Sequence, residues 1–277
     1  MRFSHRLREV PGCWRSREPK RGLAGRLRKD REVGLIENGS ALLAGDAARL
    51  MRAAAALVFD VDGTLAETEE QHRQAFNDAF LRLGLNWHWD HALYSSLLLV
   101  AGGRERIRAY TESLGIAPSF SEADIAGLHR VKTARYVELI ETGCCPLRPG
   151  VAELLAAAQA AGQRLAIATT TSRGNVDVLL SGALGADWAE KFDAIVAGED
   201  VRNKKPAPDV YREVLARLRL QPAACVAIED SAIGVEAAAR AHIPVVVTPS
   251  MFFRGDDFTA ACVVLKDLSL LGPRPYG

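Results

Sequence analysis

Residues Ala55–Phe59 form a short apolar run that stops abruptly at Asp60-Val61-Asp62-Gly63-Thr64-Leu65. A strand with apolar residues on both faces has to be covered on both, as happens in parallel sheets flanked by helices. Further runs of the same kind are expected to be strands at Leu165–Thr169, Ala194–Ala197, Cys225–Ile228, Val245–Thr248 and Cys262–Leu265. Helical patterns lie between them. Val151, Leu154, Leu155 and Ala158 recur at i, i+3, i+4 and i+7, ahead of a stop at Gly162. Tyr211, Val214, Leu215 and Leu218 repeat that spacing after Pro208. Strand–helix alternation implies an α/β fold, a doubly wound parallel sheet.

One interval breaks the rhythm. About a hundred residues separate the first strand from the next, whereas a parallel crossover needs only a dozen or more. Its character is helical: Ala75, Phe76, Ala79, Phe80 and Leu83 share one face, and Ile107 to Leu114 form another segment. Leu128, Val131, Ala134, Tyr136 and Val137 belong to a third, less regular one. The expectation is a small helical cap, residues 67–145, inserted into a core made of residues 53–66 and 146–270, with 271–277 as a tail. Such an insertion would sit over the carboxyl ends of the strands, where α/β sheets bind ligands.

The chemistry is expected at those strand ends. In a continuing strand Asp60 and Asp62 would share a face, and Gly63 lets the chain turn away tightly. Burying two acids together is costly unless a cation compensates, and Mg2+ is the expected hard, oxygen-liganded partner. Asp60 could then attack phosphorus, while Asp62 protonates the leaving oxygen and later deprotonates a water. The strand Leu165-Ala166-Ile167-Ala168 delivers Thr169, Thr170 and Thr171, whose hydroxyl and backbone N–H groups could hold phosphoryl oxygens. Lys205, held before Pro206, could neutralise Asp60 and the transferring group. Glu229 and Asp230, after Val226-Ala227-Ile228, would complete a metal shell with Asp60 and Asp62.

The order Asp60-x-Asp62-Gly-Thr, Thr169, Lys205-Pro, Glu229-Asp230 resembles the haloacid dehalogenase superfamily of phosphotransferases, in its small-cap subclass that includes β-phosphoglucomutase. Within it the chain is similar to the CbbY-type sugar phosphatases that accompany Rubisco. The likeness rests on Phe59 to Glu70, Ala101-Gly102-Gly103-Arg104-Glu105-Arg106-Ile107, His129-Arg130-Val131-Lys132, Leu147-Arg148-Pro149-Gly150 and Thr169 to Asn175. It implies action on xylulose 1,5-bisphosphate, a Rubisco inhibitor, with substrate contacts at Glu69, His72, Gly103, Arg104, Lys132, Thr170, Thr171 and Asn175. CbbY proteins often have Lys where this chain has Arg104; both are cations, but Arg can grip a phosphate bidentately. Arg104 and Lys132 would serve a distal phosphate.

Two other readings use the same acids. A phosphomutase would return the phosphoryl group to sugar rather than water, a choice that depends on what a closed cap admits. A signalling receiver domain also phosphorylates an Asp beside Mg2+ and Lys, but such modules have no cap, and here Lys205 lies 145 positions beyond Asp60. A dinucleotide site is disfavoured, since no GxGxxG follows the first strand.

Composition narrows the setting. Residues 1–50 hold 12 Lys+Arg against 6 Asp+Glu, so a chain of net charge +1 leaves −5 on the remainder. A mildly acidic domain is not expected to bind nucleic acid. No apolar run approaches the ~20 residues needed to cross a bilayer, and no secretory signal is read. The five cysteines contain no CxxC pair, which suits a reducing cytoplasm. Residues 1–52 are expected to be a disordered extension or a mis-assigned start, with Met51 a plausible first residue. The protein is expected to be a monomer whose partner is a small sugar phosphate.

Overall fold

The computed structural model describes residues 37–117, 120–143, 145–272 and 275–276. Six parallel strands run in the order β3-β2-β1-β4-β5-β6. They are β1 (Ala56–Phe59), β2 (Arg164–Ala168), β3 (Ala194–Val196), β4 (Cys225–Glu229), β5 (Val245–Val247) and β6 (Val263–Val264). All lie where the apolar runs placed them, with ends shifted by a residue or so. Cys262 and Leu265 fall outside β6 but continue its pairing, each donating an N–H to a β5 carbonyl.

Side chains alternate along every strand. Leu57, Phe59, Leu165, Ile167, Val226 and Ile228 point to one face, packed with Leu154 and Ala158 of α6 (Val151–Ala160) and Val176 and Leu180 of α7 (Arg173–Leu184). Ala56, Val58, Ala166, Ala168 and Ala227 point to the other, against Tyr211 and Val214 of α8 (Asp209–Leu218) and Val235 and Ala238 of α9 (Ala232–Arg240). Both faces are dry, which is why the strands read as unbroken apolar runs.

Between β1 and α6 the described residues build four helices: α2 (Glu69–Arg82), α3 (His91–Leu97), α4 (Gly103–Ser113) and α5 (Glu122–Thr142). Their own core is aromatic, with Phe76, Phe80, Trp89, Tyr94, Tyr110 and Phe120 in one cluster. Trp89 is held at both ends by Asn77, whose Oδ1 accepts from its N–H at 2.8 Å and whose Nδ2 donates to its carbonyl at 2.9 Å. The outgoing and returning connections meet in an antiparallel bridge at Ala66 and Leu147. Next to it the buried Arg148 guanidinium donates to the carbonyls of Gly63, Thr248 (2.7 Å) and Pro249 (3.0 Å). This clamps the return connection to the turn after β1 and the loop after β5. No helix among the described residues is long and apolar enough to cross a membrane.

The N-terminal expectation needs correction. Helix α1 spans Glu37–Ala53, and Ala44, Ala47, Ala48 and Met51 fall at i, i+3, i+4 and i+7 and are buried. Three of the four are alanines, so the stripe is weak in sequence although it packs tightly. Met51 is wholly buried in the main core, and a chain starting there would lack the helix. Gln163 caps the C-terminal end of α1 by donating to the carbonyls of Met51 (2.8 Å) and Ala54 (2.5 Å). Residues 1–36 lie outside the described residues. In the expected tail, Leu271 and Tyr276 also pack on this core. Met51→Ala is expected to lower unfolding stability by roughly 2–5 kcal/mol without changing turnover, as read by denaturant melts and steady-state rates.

Candidate active site

Strands β2 and β4 flank β1, so successive connections leave β1 in opposite directions and open a crevice at its carboxyl end. The register pairs Phe59 with Ile167 on one side and Ile228 on the other. The next positions, Asp60, Ala168 and Glu229, therefore stand level across three strands. Gly63 has φ +80°, and a Cβ there would lie 2.0 Å from the Asp230 carboxylate. Only glycine lets the turn after β1 pass so close to the tip of β4.

Lys205 joins these tips. Its ammonium donates to Asp60 Oδ1 at 2.6 Å, Glu229 Oε1 at 2.7 Å and the Ala168 carbonyl at 2.8 Å. The Tyr211 hydroxyl donates to the same Glu229 oxygen. Asp60, Glu229 and Asp230 are all buried, each with a carboxylate oxygen within 4.8 Å of the others. Burial pushes the Asp60 carboxyl up to about 8, with Lys205 pulling down and Glu229 pushing up. Burial, then Asp60 and Glu229, also raise Asp230 well above the carboxylate range. For Lys205 burial acts downward, yet the two carboxylates outweigh it and raise the ammonium. Asp230 Oδ2 is buried without a hydrogen-bond partner among the described residues. Three acids against one lysine, all oxygen donors, with one oxygen left over, fit a hard divalent cation.

The Asp62 carboxylate, expected among the metal ligands, lies outside that group. Its Oδ1 accepts from Thr68 Oγ1 at 2.5 Å and sits 3.1 Å from His72 Nε2. Burial would raise Asp62, but His72, Thr68 and Lys132 together hold it down at about 2. Lys132 Nζ is 2.6 Å from His72 Nδ1. Burial, and after it Arg106, lower the Lys132 ammonium to about 7. Burial and Lys132 depress His72.

The four-helix insertion roofs the crevice and leaves a cavity of about 360 Å3, lined by every expected site residue except Glu229, which lies beneath it. Glu69 and His72 descend from the first turns of α2, Gly103 and Arg104 from the start of α4, and Lys132 from the middle of α5. A Cβ on Gly103 would lie 2.5 Å from His129 Nε2, so the glycine makes room for that ring. Thr169, Thr170 and Thr171 lead into the N-terminus of α7, where Ser172 caps by accepting from the Asn175 N–H. Thr169 Oγ1 accepts from the Thr171 N–H at 3.2 Å, and Asn175 Nδ2 donates to Thr171 Oγ1 at 3.0 Å. Anions are favoured at such a helix start.

Residues 54–242 match the haloacid dehalogenase-like hydrolase family model. The chain is a haloacid dehalogenase-like hydrolase. It is 54% identical over 214 residues to Protein CbbY of Rhodobacter capsulatus, covering 77% of this chain and 93% of that one. It is 50% identical to the plasmid CbbY of Cupriavidus necator over 77% of this chain and 85% of that one. A crystal structure of a CbbY variant from Rhodobacter sphaeroides in complex with xylulose-(1,5)bisphosphate superposes with TM-score 0.74 at 43% identity, covering 79% of this chain and 96% of that one. β-Phosphoglucomutase of Clostridium difficile shares the fold, at 22% identity and TM-score 0.67. The hydrolase is thus of the CbbY kind, and its enzyme class is phosphatase, as the resemblance to CbbY-type phosphatases implied.

Several residues around the cavity escaped the sequence reading. Thr68, Tyr211 and Tyr94 bond the carboxylates of Asp62, Glu229 and Glu69, and Arg106, His129 and Lys204 border the cavity. Arg106 and His129 stood inside the stretches that carry the family likeness; Tyr94 and Tyr211 had no local signal beyond helical spacing. Burial and Lys132 hold the His129 imidazole down to about 3. Because folding raises Asp60 to about 8, the metal-free native chain holds a proton that the unfolded chain has released above about pH 4. Its stability is therefore expected to fall as pH climbs from about 4 towards 8. In chelator the melting temperature should drop over that range, and a divalent cation should raise it more at pH 8 than at pH 5. An equal rise at both would place the cation elsewhere.

Proposed function

We propose that this hydrolase removes one phosphoryl group from a small sugar bisphosphate, xylulose 1,5-bisphosphate, by way of a phospho-aspartyl intermediate on Asp60. The observation behind the reading is the arrangement of one cavity. Asp60 and Lys205 lie at its floor, while Arg104 and Lys132 line it from the helical insertion. A substrate with phosphates at both ends would engage both sets. The CbbY complex with xylulose-(1,5)bisphosphate, from a protein 43% identical to this one, supports that choice of sugar.

An Asp60 oxygen attacks phosphorus as the bond to the sugar oxygen breaks. Lys205 neutralises Asp60, and Thr169 with the N–H groups before α7 receives the phosphoryl oxygens. Asp62 delivers a proton to the departing sugar oxygen, which requires it to leave Thr68 and His72 and pick up that proton first. It then takes a proton from the water that opens the acyl phosphate, returning Asp60 and inorganic phosphate. Mg2+, held by Asp60 and Asp230 with Glu229 beneath, would keep Asp60 anionic and offset charge on the phosphoryl group. Residues 67–145 act as a cap over the core of 53–66 and 146–270, excluding bulk water while the acyl phosphate exists. A reducing cytoplasmic compartment is the proposed setting.

Asp60→Asn is expected to abolish phosphate release while keeping the wild-type melting curve, since the amide has nearly the same shape but is a poor nucleophile. Retained turnover would remove the mechanism. In a phosphate-release panel the pentulose bisphosphate is expected to outrank sugar monophosphates. Isomerisation of a hexose 1-phosphate without net phosphate release would make the protein a mutase instead. Arg104→Ala is expected to raise KM for the bisphosphate roughly tenfold, with less effect on a monophosphate.

A further inference from the structure

Tyr94 sits on α3, outside every stretch that carries the family likeness. Its ring is fully buried, 6.1 Å from Trp89, 6.4 Å from Phe76 and 5.7 Å edge-on from Phe252 of the core loop after β5. Its hydroxyl donates to Glu69 Oε2 at 2.7 Å and accepts from an Arg106 N–H at 3.1 Å. Arg106 is buried too, and its Nε donates to the Leu97 carbonyl at 3.2 Å. Among the described residues it pairs with no carboxylate.

The interposed phenol matters chemically. An arginine in direct contact with a carboxylate engages both oxygens and cancels its charge. With a hydroxyl between them, Glu69 is pinned by one oxygen only. Its Oε1 has no hydrogen-bond partner among the described residues, and Glu69 lines the cavity. A carboxyl oxygen accepts well from an alcohol, and pinning its twin removes the cost of ordering it on binding.

We infer that Tyr94 is the positioning residue for Glu69, aiming one carboxylate oxygen at a sugar hydroxyl so that the site separates sugar phosphates from phosphate esters without hydroxyls. This rests on the substrate class proposed above. The test compares wild type, Tyr94→Phe, Glu69→Gln and the double variant on xylulose 1,5-bisphosphate and on p-nitrophenyl phosphate. Tyr94→Phe should raise KM for the sugar roughly tenfold with kcat within about twofold, and leave p-nitrophenyl phosphate turnover unchanged. In the Glu69→Gln background it should add nothing. An unchanged sugar KM, an equal loss on both substrates, or a full effect without Glu69 would each overturn the assignment. Wild type that cleaves p-nitrophenyl phosphate but no sugar bisphosphate would overturn the proposed substrate, and this inference with it.

Discussion

Lys205 has three N–H donors, and each goes to a different strand: Asp60 after β1, the Ala168 carbonyl at the end of β2, and Glu229 at the end of β4. Burial acts against the charge of an ammonium this deep, and its two carboxylate partners outweigh that. The three groups thus hold three strand tips level, with Lys205 pulling the Asp60 carboxyl down against its burial. One lysine leaves a surplus of negative charge once Asp230 is counted. That surplus fits the group of three acids to a hard divalent cation.

The helical insertion solves a different problem. Its aromatic cluster is a core of its own, so it can stand over the crevice without borrowing the core of the sheet. Into that frame it sets Glu69, His72, Arg104 and Lys132, polar groups that water would otherwise scatter. Lys132 interrupts the buried stripe of α5, lying between Leu128 and Tyr136, because that turn looks onto the cavity. The irregular spacing that blurred this helix in sequence is the trace of a cavity-lining lysine placed among packing side chains.

Arg148 and the loop after β5 bind the two halves. The guanidinium ties the return connection to the Gly63 turn, and Phe252 and Phe253 of that loop reach the aromatic cluster around Tyr94. The side chain that orients Glu69 is therefore packed by both the insertion and the sheet domain.

The sheet, its dry faces and the acids at its tips were legible in sequence because each is local: an apolar run stops, and an acid, a threonine or a lysine follows. Asp60, Thr169, Lys205 and Asp230 could be marked that way, and the length of the gap before β2 announced the insertion. Helix α1 was not legible, since a stripe of alanines carries little hydrophobic contrast until a surface is there to meet it. Nor was the holding of Asp62 by Thr68 and His72, the bond from Tyr211 to Glu229, or the link from Arg106 through Tyr94 to Glu69. Those pairs join side chains far apart in sequence or on separate elements, and short-range spacing cannot say which distant oxygen a hydroxyl will reach. Residue order along the chain marks which groups could react, whereas the folded arrangement sets which carboxylates stand close enough to share a cation and which are held apart, because distance and burial make that choice.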